Sequence, residues 1–455
     1  MPRTRRAAAA SKGEATNFRA KVRMYTHGLG DCFLITLPRK GAERDRFFIM
    51  IDCGVILGTE NAARKMAAVV DDIAATTGNR VDLLLATHEH WDHLSGFKQA
   101  EENIKKIDFG EVWLGWTEDP KDEFARQLSE KRSQAVSALR VAESRLRMAA
   151  AADRADAVAG MLDFFGARGD STKEALEVVR GLSRAGVPRY CRPEDDPVQF
   201  TGVDARFYIL GPPRDLKLLA KLLPSKRNPE TYGLTGTIFL ADQLSDPLSP
   251  REEPDGPFGP LQTIPMPLAQ ELDFFKQRYW GTGPAVMGND EAWRRIDTAW
   301  FEGAPEFALQ LDSETNNTSL VLAIELADQD VLLFAADAQI GNWLSWQDLH
   351  WKIGDRSLTG PDLLKRTVLY KVGHHGSHNA TLRENGLELM QKLSVAMLPV
   401  DEDMAKQKRW TRIPLSDLVE MLEEKTKKRV VRSDRRPPHG MNNLVGTNLY
   451  YEISL

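Results

Sequence analysis

The run Thr87-His88-Glu89-His90-Trp91-Asp92-His93 constrains this chain more than any other stretch. Three histidines and one aspartate form the pattern H-x-H-x-D-H, in a chain with nine histidines among 455 residues. The apolar run Val81 to Ala86 precedes it and reads as a buried strand. Residues two apart on a strand point to one side, so His88 and His90 leave the strand end together. A turn then lets Asp92 and His93 face back toward the same spot. Imidazole combined with carboxylate suits zinc, manganese or iron.

Bulk properties narrow the surroundings. The chain is 42% hydrophobic and 27% charged, an ordinary globular balance. A formal net charge of −5 offers no global basic field, so a polyanion would have to bind through local patches. Cys32, Cys53 and Cys191 are too scattered for a disulfide framework or a zinc knuckle; they read as small buried hydrophobes in a reducing compartment. No apolar stretch is long enough to span a bilayer. The basic, alanine-rich N-terminus lacks the apolar core of a secretory signal. The expectation is a cytoplasmic protein without a membrane segment, with residues 1–18 as a disordered basic tail.

Periodicity predicts a strand over 19–37 broken at His27-Gly28-Leu29-Gly30-Asp31, then a strand over 47–52, a helix over 62–76 and a strand centred on Val112-Trp113-Leu114. Residues 120–185 read as two or three helices, the longest over about 121–152. A strand over 205–210 follows. The proline-rich piece 247–267 excludes regular structure and reads as a lid or a surface excursion. Segments 319–325 and 331–336 read as a hairpin and 367–372 as a strand. Helices are expected over 382–393 and 415–425, and short strands over 396–400 and 429–432.

Two of these later strands end in metal-type side chains. Leu332 to Ala336 leads into Asp337, which reads either as a ligand or as a capping aspartate. Thr367 to Val372 leads into Gly373-His374-His375-Gly376-Ser377-His378, whose glycines let the backbone turn tightly. One of the paired histidines can reach a metal while the other faces away. Three apolar strands thus each end in candidate ligands.

In this order of motifs the chain resembles the metallo-β-lactamase superfamily, from about Arg19 to Leu455, with large insertions. The nearer resemblance is to competence-type (ComEC-type) metallo-hydrolases. It rests on H-x-H-x-D-H, on Gly28-Leu29-Gly30-Asp31-Cys32 with Ile51-Asp52-Cys53-Gly54, on Asn316-Asn317-Thr318-Ser319-Leu320, on the Asp337 strand and on His374-His375-Gly376-Ser377. The resemblance implies an αββα sandwich over 19–455, with a helical insertion at about 118–200 and a mixed, proline-rich one at about 215–312. It implies two divalent ions, zinc or manganese: His88 and His90 on the first, Asp92, His93 and His374 on the second, and Asp337 bridging. Asp52 would orient the metal loop, and His375 would be the partner that faces away or a supporting residue. The chain departs from the superfamily in having no histidine from Leu94 to Leu349. Asn316 or Asn317 stands in the equivalent place, as a weak ligand for a harder ion or as a turn cap.

The implied activity is hydrolysis by a metal-activated water, with a phosphodiesterase or nuclease as the leading expectation. Asp92 and His378 are the candidate catalytic residues, His378 as proton donor to the leaving oxygen. Ser377 is a candidate phosphate contact. Basic clusters at 406–412, with Trp410, and at 427–436 could hold DNA or RNA by charge and stacking, and Arg3, Arg5 and Arg6 in the tail could add to it. Trp280, Trp293, Trp300, Trp343, Trp346 and Trp351 read as core. The alternatives are a lactonase- or thioesterase-type hydrolase, or an inactive metal-binding protein controlled by a protein partner on the 120–185 insertion.

Overall fold

A computed structural model of the chain describes residues 18–42, 44–148, 152–166, 171–221, 271–275, 278, 303–410 and 412–455. The basic tail with its three arginines, the proline-rich piece, Trp280, Trp293 and Trp300 lie outside them. The chain divides into two compact units. The first comprises Met1–Arg132, Asp163–Gly236 and Asp312–Leu455; the second comprises Ser133–Leu162 and Thr237–Leu311. Residues 118–132 and 163–200 of the expected helical insertion fall in the first unit.

The first unit is mixed α/β, with parallel and antiparallel pairing. Its strands are β1 (Lys21–Tyr25), β2 (Phe33–Pro38), β3 (Arg46–Ile51), β4 (Arg80–Ala86), β5 (Asp108–Gly115), β6 (Arg189–Cys191), β7 (Ala205–Gly211), β8 (Val321–Leu326), β9 (Val331–Phe334), β10 (His350–Ile353), β11 (Arg356–Thr359), β12 (Thr367–Lys371), β13 (Val395–Leu398), β14 (Val430–Arg432), β15 (Leu444–Gly446) and β16 (Tyr450–Ser454). One sheet runs β15-β16-β1-β2-β3-β4-β5-β6, a second runs β14-β13-β12-β9-β8-β7, and β10-β11 form a separate hairpin. In the first sheet β3 through β6 are parallel; in the second, β9, β12, β13 and β14 are parallel.

Burial explains the sequence patterns. The parallel strand β4 is buried along six of its seven residues, which accounts for its unbroken apolar run. Alternate residues of both sheets share one apolar core: Val22, Ile35, Ile49, Leu83 and Leu85 from the first, Phe207, Leu322, Phe334, Leu369 and Met397 from the second. On its other face the first sheet meets the helices Ala62–Thr77, Trp91–Gln99 and Ser171–Gly181 through Met66, Val70, Ile73, Leu94, Phe97, Leu176 and Val179. The helix Ala62–Thr77 stops at Gly78, whose left-handed φ of 63° closes it.

Two expectations fail for local reasons. Residues 382–393 are not a helix but turns around a short 3-10 segment, Leu387–Leu389. Gly386 interrupts the apolar spacing at φ −139°, ψ −102°, and a side chain there would meet the Leu382 carbonyl oxygen at 2.3 Å. The C-terminal hairpin β15-β16 was not anticipated; β16 pairs with β1 through Ile453 opposite Val22. Trp343, Trp346 and Trp351 are buried. Among the described residues no helix is long and apolar enough to cross a membrane. The three cysteines are buried and unpaired by disulfides.

Candidate metal centre

The site lies within the first unit, where parallel strands end side by side. Ile51 of β3 pairs with Leu85 of β4, and Phe334 of β9 pairs with Lys371 of β12. The loops that follow carry Asp52, Thr87 to His93, Asp337 and His374-His375. Such carboxyl-end crevices are where α/β sheets gather ligands. Close backbone contact shapes the loops. A Cβ on Gly30 would lie 2.6 Å from the Asp92 carbonyl oxygen, and one on Gly54 would lie 2.4 Å from the Asp92 carbonyl carbon. Asp52, Ala336, His374 and His375 all take left-handed φ, at 56°, 48°, 38° and 51°. Non-glycine residues adopt that region at a cost, and such residues gather at functional sites.

Asp92, His93, Asp337 and His375 each present one ligand atom, all within 4.8 Å of one another, and all four are buried. His93 Nε2 lies 3.1 Å from Asp337 Oδ2, and His375 Nε2 lies 2.9 Å from Asp92 Oδ2. The other ring nitrogens are engaged: His93 Nδ1 is 2.8 Å from Asp52 Oδ2, and His375 Nδ1 is 2.9 Å from the Pro399 carbonyl oxygen. A histidine that donates one N–H to an oxygen has its tautomer and orientation fixed, and the opposite nitrogen is left for a metal. Asp52 also accepts from the Thr87 backbone N–H and the Thr87 hydroxyl, both at 2.8 Å, which ties it to the start of the motif. Asp31, Asp52 and His93 form a second, overlapping buried group.

The paired histidines are assigned differently from the expectation. His374 is not in the four-residue group; His375 is. Left-handed backbone at both residues splays the rings to centroids 6.0 Å apart. His374 Nδ1 contacts the Ser377 hydroxyl at 2.8 Å and Gln339 Nε2 at 3.3 Å, and its Nε2 lies 3.3 Å from Asn316 Nδ2. His375→Ala is therefore expected to lose the ion held by the group, and His374→Ala to keep it. Metal content after gel filtration checks this, and equal loss from both variants would contradict the assignment.

His88 and His90 stand beside the group, with His88 Nε2 3.0 Å from His90 Nδ1. Asn316 is fully buried in the same region, whereas Asn317 is a brace. Its Nδ2 donates to the Leu219 and Lys221 carbonyls, and its Oδ1 accepts from the backbone N–H groups of Gln339 and Asn342. With its amide so engaged, Asn317 is removed from the candidate ligands. His378 is partly buried, and burial together with Arg412 pushes its pKa down. Ser377 is turned to His374 and Asn379.

Sequence reasoning left Lys371, Asp31, Asp312 and Glu89 without roles. Lys371 is buried, with Nζ 2.5 Å from Asp31 Oδ2, 3.3 Å from Asp337 Oδ1 and 2.7 Å from the Ala336 carbonyl oxygen. Lys371 stands on the strand that precedes the His374-His375 motif, and Asp31 within Gly28-Leu29-Gly30-Asp31-Cys32. Asp312 is buried at the end of the helix Ala304–Asn316, its Oδ1 3.8 Å from His90 Nε2. Its only signal was its place four residues before Asn316. Glu89, an unassigned position of the motif, accepts from Thr172 at 3.0 Å and pairs with buried Arg132, which also faces Glu118 at 3.5 Å. Part of the helical insertion is thereby tied to the loop that carries His88 to His93.

The residues fit a cation. Asp31, Asp52, Asp92, Asp312 and Asp337 are at most 2% exposed, and Lys371 is the one lysine or arginine paired with any of them among the described residues. Buried carboxylates need pairing or metal. Among the described residues His90 Nε2, Asp92 Oδ1, Asp312 Oδ1 and Asn316 Oδ1 have no hydrogen-bond partner. Burial pulls His90 down to about 3 and His374 to about 4, and burial with the neighbouring imidazoles holds His88 well below its ordinary value. For His93, burial is outweighed by Asp337, Asp92, Asp52 and Asp31, which hold it well above the usual range; Asp337 and Asp92 likewise raise His375. Burial, Asp92 and Asp337 raise Asp312 well above the carboxylate range.

These directions fix a pH dependence. His93 and His375 hold protons to higher pH than free imidazole, and a metal must displace them. Metal affinity should therefore fall as pH drops from about 8 to 6, with proton release on binding. Calorimetry in buffers of different ionisation enthalpy measures it; affinity independent of pH across that interval would contradict the assignment of both histidines as ligands.

Comparison with protein families, curated proteins and solved structures finds no match for this chain. The finding established by the geometry is a buried histidine–aspartate cluster within metal-binding distance.

Proposed function

We propose that the chain is a metal-dependent hydrolase of metallo-β-lactamase type, related to the ComEC-type enzymes, acting on phosphodiester bonds. The observation that carries this reading is the buried group Asp92, His93, Asp337 and His375. Two sheets sharing one core, with helices on the outer face of the first, support an αββα sandwich. His88 and His90 offer a second position beside the group, so that two divalent ions, zinc or manganese, would be held. A pair of such ions lowers the pKa of bound water and neutralises charge on attacking and leaving oxygens.

The chain's own residues prepare that chemistry. Asp52 fixes the His93 ring with Nε2 facing inward. Lys371 and the His374 backbone N–H hold Asp337 Oδ1, so that Oδ2 faces His93. Phe164 and Phe165 stand at 5.3 and 5.0 Å from the His90 ring and exclude water on that side. Trp410 stacks on Phe164 at 4.8 Å, so it extends this wall.

One observation favours a small substrate over a polymer. In the C-terminal basic clusters Lys406, Arg432 and Arg435 are paired with Glu402, and Lys408 with Asp163, while Lys427, Lys428 and Arg429 remain exposed. The second reading is accordingly a lactone or thioester hydrolase. The test is a screen of single- and double-stranded nucleic acids, cyclic nucleotides, simple diesters and lactones, with manganese or zinc restored and metal content measured on the same sample. Diester cleavage supports the first reading. Lactone opening without diester cleavage would replace it with the second.

A further inference from the structure

The His88–His90 position lacks the histidine that the superfamily pattern places between the signature and Asp337. The helix Ala304–Asn316 instead brings two polar residues there, Asp312 and Asn316, one helical turn apart on one face. Both are buried, Asp312 at 2% exposure and Asn316 at 0%. Asn316 Nδ2 donates to Asp312 Oδ2 at 3.1 Å, which leaves Asp312 Oδ1 as the free oxygen. That oxygen lies 3.8 Å from His90 Nε2. Neither atom has a hydrogen-bond partner among the described residues. Leaving a buried N–H and a buried carboxylate oxygen both unmatched costs more than closing a gap of about 1 Å between them.

The two nitrogens of His90 therefore face different tasks. Nδ1 lies 3.0 Å from His88 Nε2, and these two nitrogens are the ones that would hold a cation. Nε2 points away from that spot, toward Asp312. The arrangement repeats, with the ring nitrogens exchanged, what Asp52 does at His93, where the carboxylate takes Nδ1 and Nε2 faces inward.

We propose that Asp312, held by Asn316, is the positioning carboxylate of His90: with a cation held at the position, its Oδ1 accepts a hydrogen bond from His90 Nε2–H, fixes the tautomer with Nδ1 unprotonated, and so sets the affinity of the His88–His90 position for a divalent ion. Asp312 acts through His90 and is not itself a ligand. The inference rests on the two-position reading above, and its failure can be told from the failure of that reading.

The experiment uses the full chain, stripped with chelator and titrated with manganese(II), counting bound ions by electron paramagnetic resonance and by elemental analysis after gel filtration. The variants are Asp312→Asn, which keeps the shape, and Asn316→Ala, which frees Asp312 without removing it. His375→Ala serves as a control, expected to impair the other position. The wild type is expected to bind two ions. Asp312→Asn is expected to bind both still, with one dissociation constant raised by the roughly 10–100-fold typical of losing an outer partner; Asn316→Ala should move the same constant less. Nitrogen-15 spectra of the histidine rings should show His90 shift from the Nε2–H tautomer in Asp312→Asn while His93 does not. Two unchanged constants in folded Asp312→Asn would overturn the proposal. A fall to one bound ion would also overturn it, by making Asp312 a ligand. A wild type that takes up no ion overturns the two-position reading, and this inference with it.

Discussion

Asp337→Asn is expected to lose both hydrolysis and the tightly held ion of the four-residue group. Asp337 is fully buried, and burial alone would raise its pKa. His93, Lys371 and His375 outweigh that and hold it well below the carboxylate range, so the site depends on its charge. Asparagine keeps the shape and removes that charge. The loss in kcat/KM should reach about 10³-fold, equivalent to about 4 kcal/mol of transition-state stabilisation. Metal content should fall in parallel, which separates this effect from misfolding when melting curves are compared. Full activity and full metal in Asp337→Asn would remove the four-residue group from the mechanism.

Lys371→Met is expected to give the largest loss of stability. Lys371 is 2% exposed and lies between Asp31 and Asp337. Burial lowers its pKa, but Asp31 and Asp337 more than offset this and keep it charged. Methionine fills the space and leaves two buried carboxylates without their cation. Breaking a buried pair by removing one partner costs about 3–5 kcal/mol. Urea unfolding of chelator-treated protein measures this, and added metal should recover part of the loss by neutralising Asp337. A change under about 1 kcal/mol would mean that His93 and His375 neutralise the cluster without the lysine.

Much of the arrangement was legible because it is local. H-x-H-x-D-H after an apolar run marked the end of β4, and apolar runs bounded by turn residues located β1, β2, β3, β8, β9 and β12 to within a few residues. The Asp337 strand and the His374-His375 loop were singled out from the same logic: an apolar strand that ends in metal-type side chains delivers them to a sheet edge. The helix read over 62–76 and the long helix read from about 121 also followed from local signals.

What the sequence could not decide depends on contacts far apart in the chain or on backbone signs. The choice between His374 and His375 turns on left-handed φ at two adjacent residues, which no periodicity encodes. Asp31 and Lys371 are some 340 positions apart and became a pair only where the loop after β1 meets the end of β12. Asp312 looked like an ordinary helix residue until its helix met His90. β16 carries a weak pattern, with only Ile453 buried, because its partner β1 lies at the other end of the chain. The sequence by itself determined which residue types reach the strand ends, since strand geometry is a property of neighbouring residues. Only the tertiary structure decided which of those side chains face one another, because that depends on how distant segments cancel buried charge.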